Sequence, residues 1–161
     1  VQYAKQANLK IVNMSGDDLR QGDKKLTLAL CFQLMRSYTM KMLDNLRPGE
    51  GRVEDKDIIN WANDKLKAAN KSSTIASFRD PSLATAKPVI DIIDAIKPGS
   101  IDYSLVSGDS EVDARYAISM ARKIGARVYT LPQHLVMLHQ KMIMTAFACL
   151  MVCDLQTARS K

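Results

Sequence analysis

The sequence predicts an all-α protein, and three observations carry that reading. Apolar residues recur at helical spacing in several separate segments. Cap and stop signals sit at the ends of those segments. Runs of alternating apolar and polar residues, the mark of half-buried strands, are few.

Taken in order, the first predicted helix is Lys24 to Met40, within KKLTLALCFQLMRSYT. Its uncharged middle is far shorter than the roughly 20 residues a bilayer requires, which excludes a membrane span and leaves a soluble helix. The spacing predicts a largely buried helix with Lys24, Lys25, Arg36 and Lys41 at its rim. LRPGEG, Leu46 to Gly51, has turn residues and no periodicity, and is expected to be a linker. In GRVEDKDIINWANDKLKAANK, Ile58, Trp61, Ala62, the Lys65 stem and Leu66 share one face, and Glu54, Asp55 and Asp57 crowd the N-terminal end, where the helix dipole favours them. This predicts about three turns with Trp61 facing inward.

Asp80 and Pro81 suit a cap and first turn, and Pro88 marks the start of the helix that carries Ile90, Ile93 and Ile96. That helix stops at Pro98-Gly99. Asp91 and Asp94 are expected on its solvated face. Ser110 with Asp113 reads as close to a capping box, on a helix that ends at Gly125. LPQHLV allows at most one turn, and Gln140 to Val152 reads as an apolar, methionine-rich final helix.

The chain has 161 residues, 47% hydrophobic and 25% charged, enough for one ordinary core and a fragment of a second. It repeats itself once: LTLALCFQLM (26–35) is echoed by MIMTAFACLM (142–151), and Tyr3-Ala4 by Tyr116-Ala117. The offset is domain-sized, so the economical reading is a tandem. Residues 1–46 would close one helical domain, 47–56 would link, 57–153 would form a complete second domain and 154–161 a tail.

Net charge is +6 and unevenly placed. Residues 20–47 carry six basic side chains against two acids and 115–161 seven against one, while 91–113 holds six acids against Lys97. Such polarity suits an anionic partner met from the basic side. Aromatic residues are not interleaved with these bases, so no surface for stacked nucleic acid is expected. An acidic protein surface fits better.

Catalysis finds no support. Ser107-Gly108-Asp109-Ser110 lacks the G-x-S-x-G pattern and reads as a loop into a helix cap. GxGxxG, GxxxxGK[ST] and the EF-hand loop are missing. Cys31, Cys149, Cys153, His134 and His139 have no zinc-ligand spacing, so neither metal nor cofactor is expected. The odd cysteine count and the apolar surroundings of all three fit a reducing compartment, and the opening VQYAKQANLKIV does not read as a secretory leader.

NWANDKL (60–66), SFRDPSL (77–83), VIDIIDAIKPGSIDYSLV (89–106), ARYAISMARKIGARVYTLP (114–132) and KMIMTAFACLM (141–151) together resemble very closely the fourth, C-terminal calponin-homology domain of the fimbrin, or plastin, family. SGDDLRQGDKKLTLALCFQLMRSYT (15–39) is similar to the end of the third. The resemblance implies a calponin-homology fold, preceded by the last helices of another such domain. It implies filamentous actin and neighbouring calponin-homology domains as partners, a place in the cytoplasmic actin cytoskeleton, and neither catalysis nor cofactor.

In such tandems actin is met by the first and last helices of the leading domain and by the first helix of the trailing one. The first of these would precede Val1. The others fall on Lys24 to Met40 and Asp57 to Ala69, and the side chains expected at the rims of those helices are Lys24, Lys25, Gln33, Arg36 and Lys41 on one, Asn63, Lys67 and Lys71 on or just beyond the other. Three departures stand out. Phe32 replaces a usual Trp, Gln133-His134 replaces a usual Glu-Asp, which would cost that turn its capping carboxylates, and the tail after Met151 diverges.

Overall fold

The computed structural model describes Leu9, residues 15–49 and residues 51–160, so Tyr3, Ala4 and Glu50 lie outside the described residues. The secondary structure of the described residues is helical, without a strand. The helices are α1 (Gly16–Arg20), α2 (Lys24–Leu46), α3 (Asp55–Ala68), α4 (Lys87–Ile96), α5 (Ser110–Lys123), α6 (Pro132–Val136) and α7 (Gln140–Arg159), with 3-10 turns at Pro81–Thr85 and Tyr103–Leu105. The chain divides into two compact units, Val1–Met42 and Leu43–Lys161, and the division falls inside α2.

In the first unit, α1 is closed by a capping box in which Ser15 and Asp18 exchange hydrogen bonds. Asp23 accepts from the Leu26 amide and so covers one of the orphan donors at the start of α2. The expected burial of α2 is not observed: Leu28 is 69% exposed, Tyr38 51% and Leu34 48%. Among the described residues of that unit, α2 has few neighbours. The other helix described in that unit, α1, has five residues against the 23 of α2, and cannot cover an apolar stripe of that length.

In the second unit α7 is the centre. Every residue from Ile143 to Met151 is buried, as a helix with apolar side chains all round must be. It packs against α3, α4 and α6, and α4 in turn packs against α3, α5 and the Pro81–Thr85 turn. Phe78 and Phe147 form a tilted ring pair 5.8 Å between centroids, and Ile58, Leu66, Leu83, Ile90, Ile92, Ile93, Leu135, Ile143 and Leu150 fill the space around it. Among the described residues α7 is the one helix long and apolar enough to cross a membrane, and 61% of that stretch is already buried in the domain.

Several expectations change on contact with this packing. Helix α4 is covered by α3, α5 and α7 together, so Asp91 does not lie on a solvated face: it is 3% exposed, beside Ile90, Ile92 and Ile93 at 0%. Ile96 is half-buried. Trp61 is likewise half-buried, and its indole N–H donates to Asp154.

Helix α5 is capped by Asp109, whose carboxylate accepts from Glu111 N and Val112 N. Asp113 is buried and instead accepts from the amides of Ser107 and Gly108, fixing the preceding loop. The final helix does not stop at Val152 but runs on to Arg159, because Cys153 and Asp154 still face the interior and Arg159 donates to the Leu46 carbonyl at 2.8 Å.

Turn α6 keeps a cap despite its missing carboxylates. The Leu131 amide donates to Nδ1 of His134 at 3.0 Å, so the imidazole takes the place expected for an acid. At the other end the His139 amide donates to the His134 carbonyl at 2.8 Å, with Leu138 between them in the left-handed region at φ +51°. This is a Schellman-type closure built without glycine.

Candidate functional site

The residues expected to meet a partner fall into two sets, one on α2 and one at α3. On α2, Lys24, Lys25 and Lys41 are exposed, and Gln33 and Arg36 are half-buried and hold contacts of their own. At 3.6 residues per turn Lys25, Arg36 and Gln33 share an arc of about 80°, whereas Lys41 lies about 160° round from Lys25. The helix thus brings three of the five together on one flank. On its other faces it presents Leu28, Leu34 and Tyr38, exposed on a helix whose sequence predicts it largely buried.

At α3 the structure separates the three candidates by what their side chains already do. Asn63 donates to the Ile75 carbonyl at 2.9 Å and accepts the Ile75 amide at 3.0 Å, pinning the loop after α3 onto the helix. Lys71 donates to Asp94 at 2.6 Å and to the Tyr103 hydroxyl oxygen at 2.9 Å, with its ammonium 4.7 Å from the centre of the Tyr103 ring. Tyr103 passes the chain on, donating to Asp91 at 2.8 Å, and the Ser73 hydroxyl donates to the same carboxylate.

This network explains how two carboxylates are tolerated in an apolar helix: each accepts hydrogen bonds, and Lys71 neutralises one of them. The Asp94 and Tyr103 contacts hold the Lys71 ammonium well above the ordinary lysine value. Burial pushes the Tyr103 phenol up to about 12, with Lys71 opposing and Asp91 reinforcing. Lys67, by contrast, is exposed on the last turn of α3.

Beside it, α3 and the end of α7 frame a cleft of about 540 Å³ lined by Asn60, Trp61, Asp64, Lys65, Met151 and Leu155 among others. Two of its lining residues are tied to Asp154, which is 8% exposed, accepts from Trp61 Nε1 at 3.1 Å and pairs with Lys65 at 2.8 Å. The sequence alone does not reveal this clamp, because a helix expected to end at Val152 puts Asp154 in a tail. Its signal was the continued spacing of Cys149, Cys153 and Asp154 along one helix.

No cluster of three or more metal-ligating side chains occurs among the described residues. His134 and His139 are adjacent, with ring centroids 5.3 Å apart. The lone pair on Nδ1 of His134 is taken by the Leu131 amide, which leaves Nε2 carrying the proton. That tautomer offers a metal no free nitrogen.

Comparison with known proteins agrees with this architecture. Residues 52–154 match the model of the calponin homology (CH) domain. The chain is 49% identical over 152 residues to plastin-1 of Mus musculus, and 50% identical over 151 residues to plastin-3 of Danio rerio. These alignments cover 91% and 90% of this chain but 24% of each plastin, so the chain spans about a quarter of their length. Among solved structures, the actin-crosslinking core of Schizosaccharomyces pombe fimbrin superposes with a TM-score of 0.72 at 34% identity, over 94% of this chain and 32% of that one. With its matched segment running from α3 into α7 through their shared core, the chain belongs to the calponin homology domain family and is similar within it to the plastins and fimbrin.

Proposed function

We propose that this chain is an actin filament-binding module of a filament cross-linking, or bundling, protein, acting in the cytoplasmic actin cytoskeleton without catalysis. The observation that carries the reading is the likeness of nearly the whole chain to part of a fimbrin actin-crosslinking core. Residues 1–46 are read as the closing part of a preceding calponin homology domain, 47–56 as linker, 57–153 as the complete domain and 154–161 as its tail. The filament contact is assigned to Lys24, Lys25, Gln33, Arg36 and Lys41 on α2 and to Lys67 on α3.

Asn63 and Lys71 leave that set, because their polar groups are engaged inside the domain. The same fact favours a second reading, in which the complete domain packs against neighbouring calponin homology domains and leaves filament contact to α2. Co-sedimentation with filamentous actin distinguishes them. Charge reversal of Lys24 and Lys25 to Glu weakens pelleting under both readings; Lys67→Glu weakens it only if α3 touches the filament. If neither change alters pelleting, the proposal fails.

A further inference from the structure

The cap on α6 has a chemical condition attached to it. The Leu131 amide is a donor, so Nδ1 of His134 can accept from it only while that nitrogen is unprotonated. A carboxylate in the same place would cap throughout the physiological range, whereas an imidazole changes charge within it. Two further features make this turn sensitive. It is five residues long, and the chain leaves it through Leu138 at φ +51°, a conformation that costs a non-glycine residue. The carbonyl of His134 also anchors the exit, accepting from His139 N, so one residue holds both ends of the turn.

We propose that His134 is a proton-sensitive latch: neutral, it closes α6 through Leu131; protonated, it turns an acceptor into a donor facing a donor, and the turn that leads into α7 opens. The surroundings agree. Burial and then the neighbouring His139 both disfavour the charged form of His134, so its proton affinity is lowered by folding. Of the charged groups on the elements packed against α6, Asp113 on α5 is held by Ser107 and Gly108 and Arg115 by Glu111, while Arg122 and Lys123 are exposed. Asp80, at the head of the Pro81–Thr85 turn, is held by Ala76 and Ser82, and on α7 Lys141 is exposed and has a contact of its own. Among the described residues, His139 is the neighbour whose charge opposes protonation of His134.

The sign follows from linkage. The unfolded chain binds a proton to this histidine more readily than the folded chain does, so stability from the latch is complete above the ordinary value of about 6.5 and is lost as pH falls through the lower folded value. Nitrogen-15 NMR of the whole chain between pH 8 and 5 tests this. The expected result is an Nε2–H tautomer for neutral His134, a midpoint below about 6.5, and a fall in hydrogen-exchange protection at the Leu131 amide of roughly five- to tenfold as His134 protonates, the size of one lost helix cap. In His134→Asp the protection no longer varies over that range. In His139→Gln the His134 midpoint rises and the cap persists. An Nδ1–H tautomer in the wild type, a midpoint at or above 6.5, or an unchanged acid loss of Leu131 protection in His134→Asp each overturns the latch.

Discussion

Lys71 shows how a single side chain can change meaning between sequence and structure. In the sequence it is a cation near the end of a helix on a basic protein, a reasonable surface contact. In the fold its side chain is four-fifths buried, and its ammonium is bonded to Asp94 and Tyr103. Replacing it with Met leaves Asp94 unneutralised in a half-buried site, and the expected cost is about 2 kcal/mol, read as a lower urea midpoint. The refolded variant should retain filament pelleting, which separates a structural role from a contact.

The same network sets an alkaline limit. The folded values of both Lys71 and Tyr103 lie above their unfolded ones. Stability from each is therefore full below its unfolded value and declines as pH rises beyond it, starting near pH 10 where the unfolded tyrosine ionises. Thermal melts at pH 9, 10 and 11 should show a progressive fall in Tm that is shallower in Tyr103→Phe. An equal slope in the two proteins removes Tyr103 from the explanation.

Among elements, α3 and α7 depend on one another through Asp154. Trp61→Phe keeps an aromatic side chain, smaller by the pyrrole part of the indole, and removes the Nε1–H donor to a nearly buried carboxylate, for an expected loss of at least about 1 to 1.5 kcal/mol by denaturant titration. Ending the chain at Val152 does more. It removes Cys153 from the core, leaves Lys65 and Trp61 without their acceptor and frees the Leu46 carbonyl from Arg159. A loss of roughly 3 kcal/mol or more is expected, and a truncated protein as stable as the parent would show that the last two turns of α7 are dispensable.

On the scale of the whole molecule the decisive quantity is charge. The net charge is +6 and α2 exposes Lys24, Lys25 and Lys41. If that helix meets an acidic filament, co-sedimentation should weaken between about 0.05 and 0.2 M salt, as the screening length passes through about 10 Å. Reversing Lys24 and Lys25 to Glu should flatten the salt curve while leaving the melting temperature nearly unchanged, because exposed charges contribute little to folding. Parallel salt curves for wild type and variant would end the electrostatic account.

Helical periodicity, Pro88 and Gly125 were enough to place α3, α4 and α5 near their observed positions, since caps and breakers act through bonds a few residues apart. The all-helical class followed from the same local rules. What sequence could not show was which faces would be covered from several sides. Asp91 looked like a solvated acid because it alternates with isoleucines, and only the stacking of α3, α5 and α7 around α4 turned it into a buried acceptor. Asn63 and Lys71 looked available because their partners, Ile75, Asp94 and Tyr103, come from other segments. His134 looked like a lost cap because the usual carboxylates were absent, and only the position of Nδ1 showed an imidazole in their place. Local propensity and breaker chemistry are written along the chain and determined the fold class and most helix positions. Burial and hydrogen-bond partnership depend on contacts between distant segments, and those were decided by the tertiary structure alone.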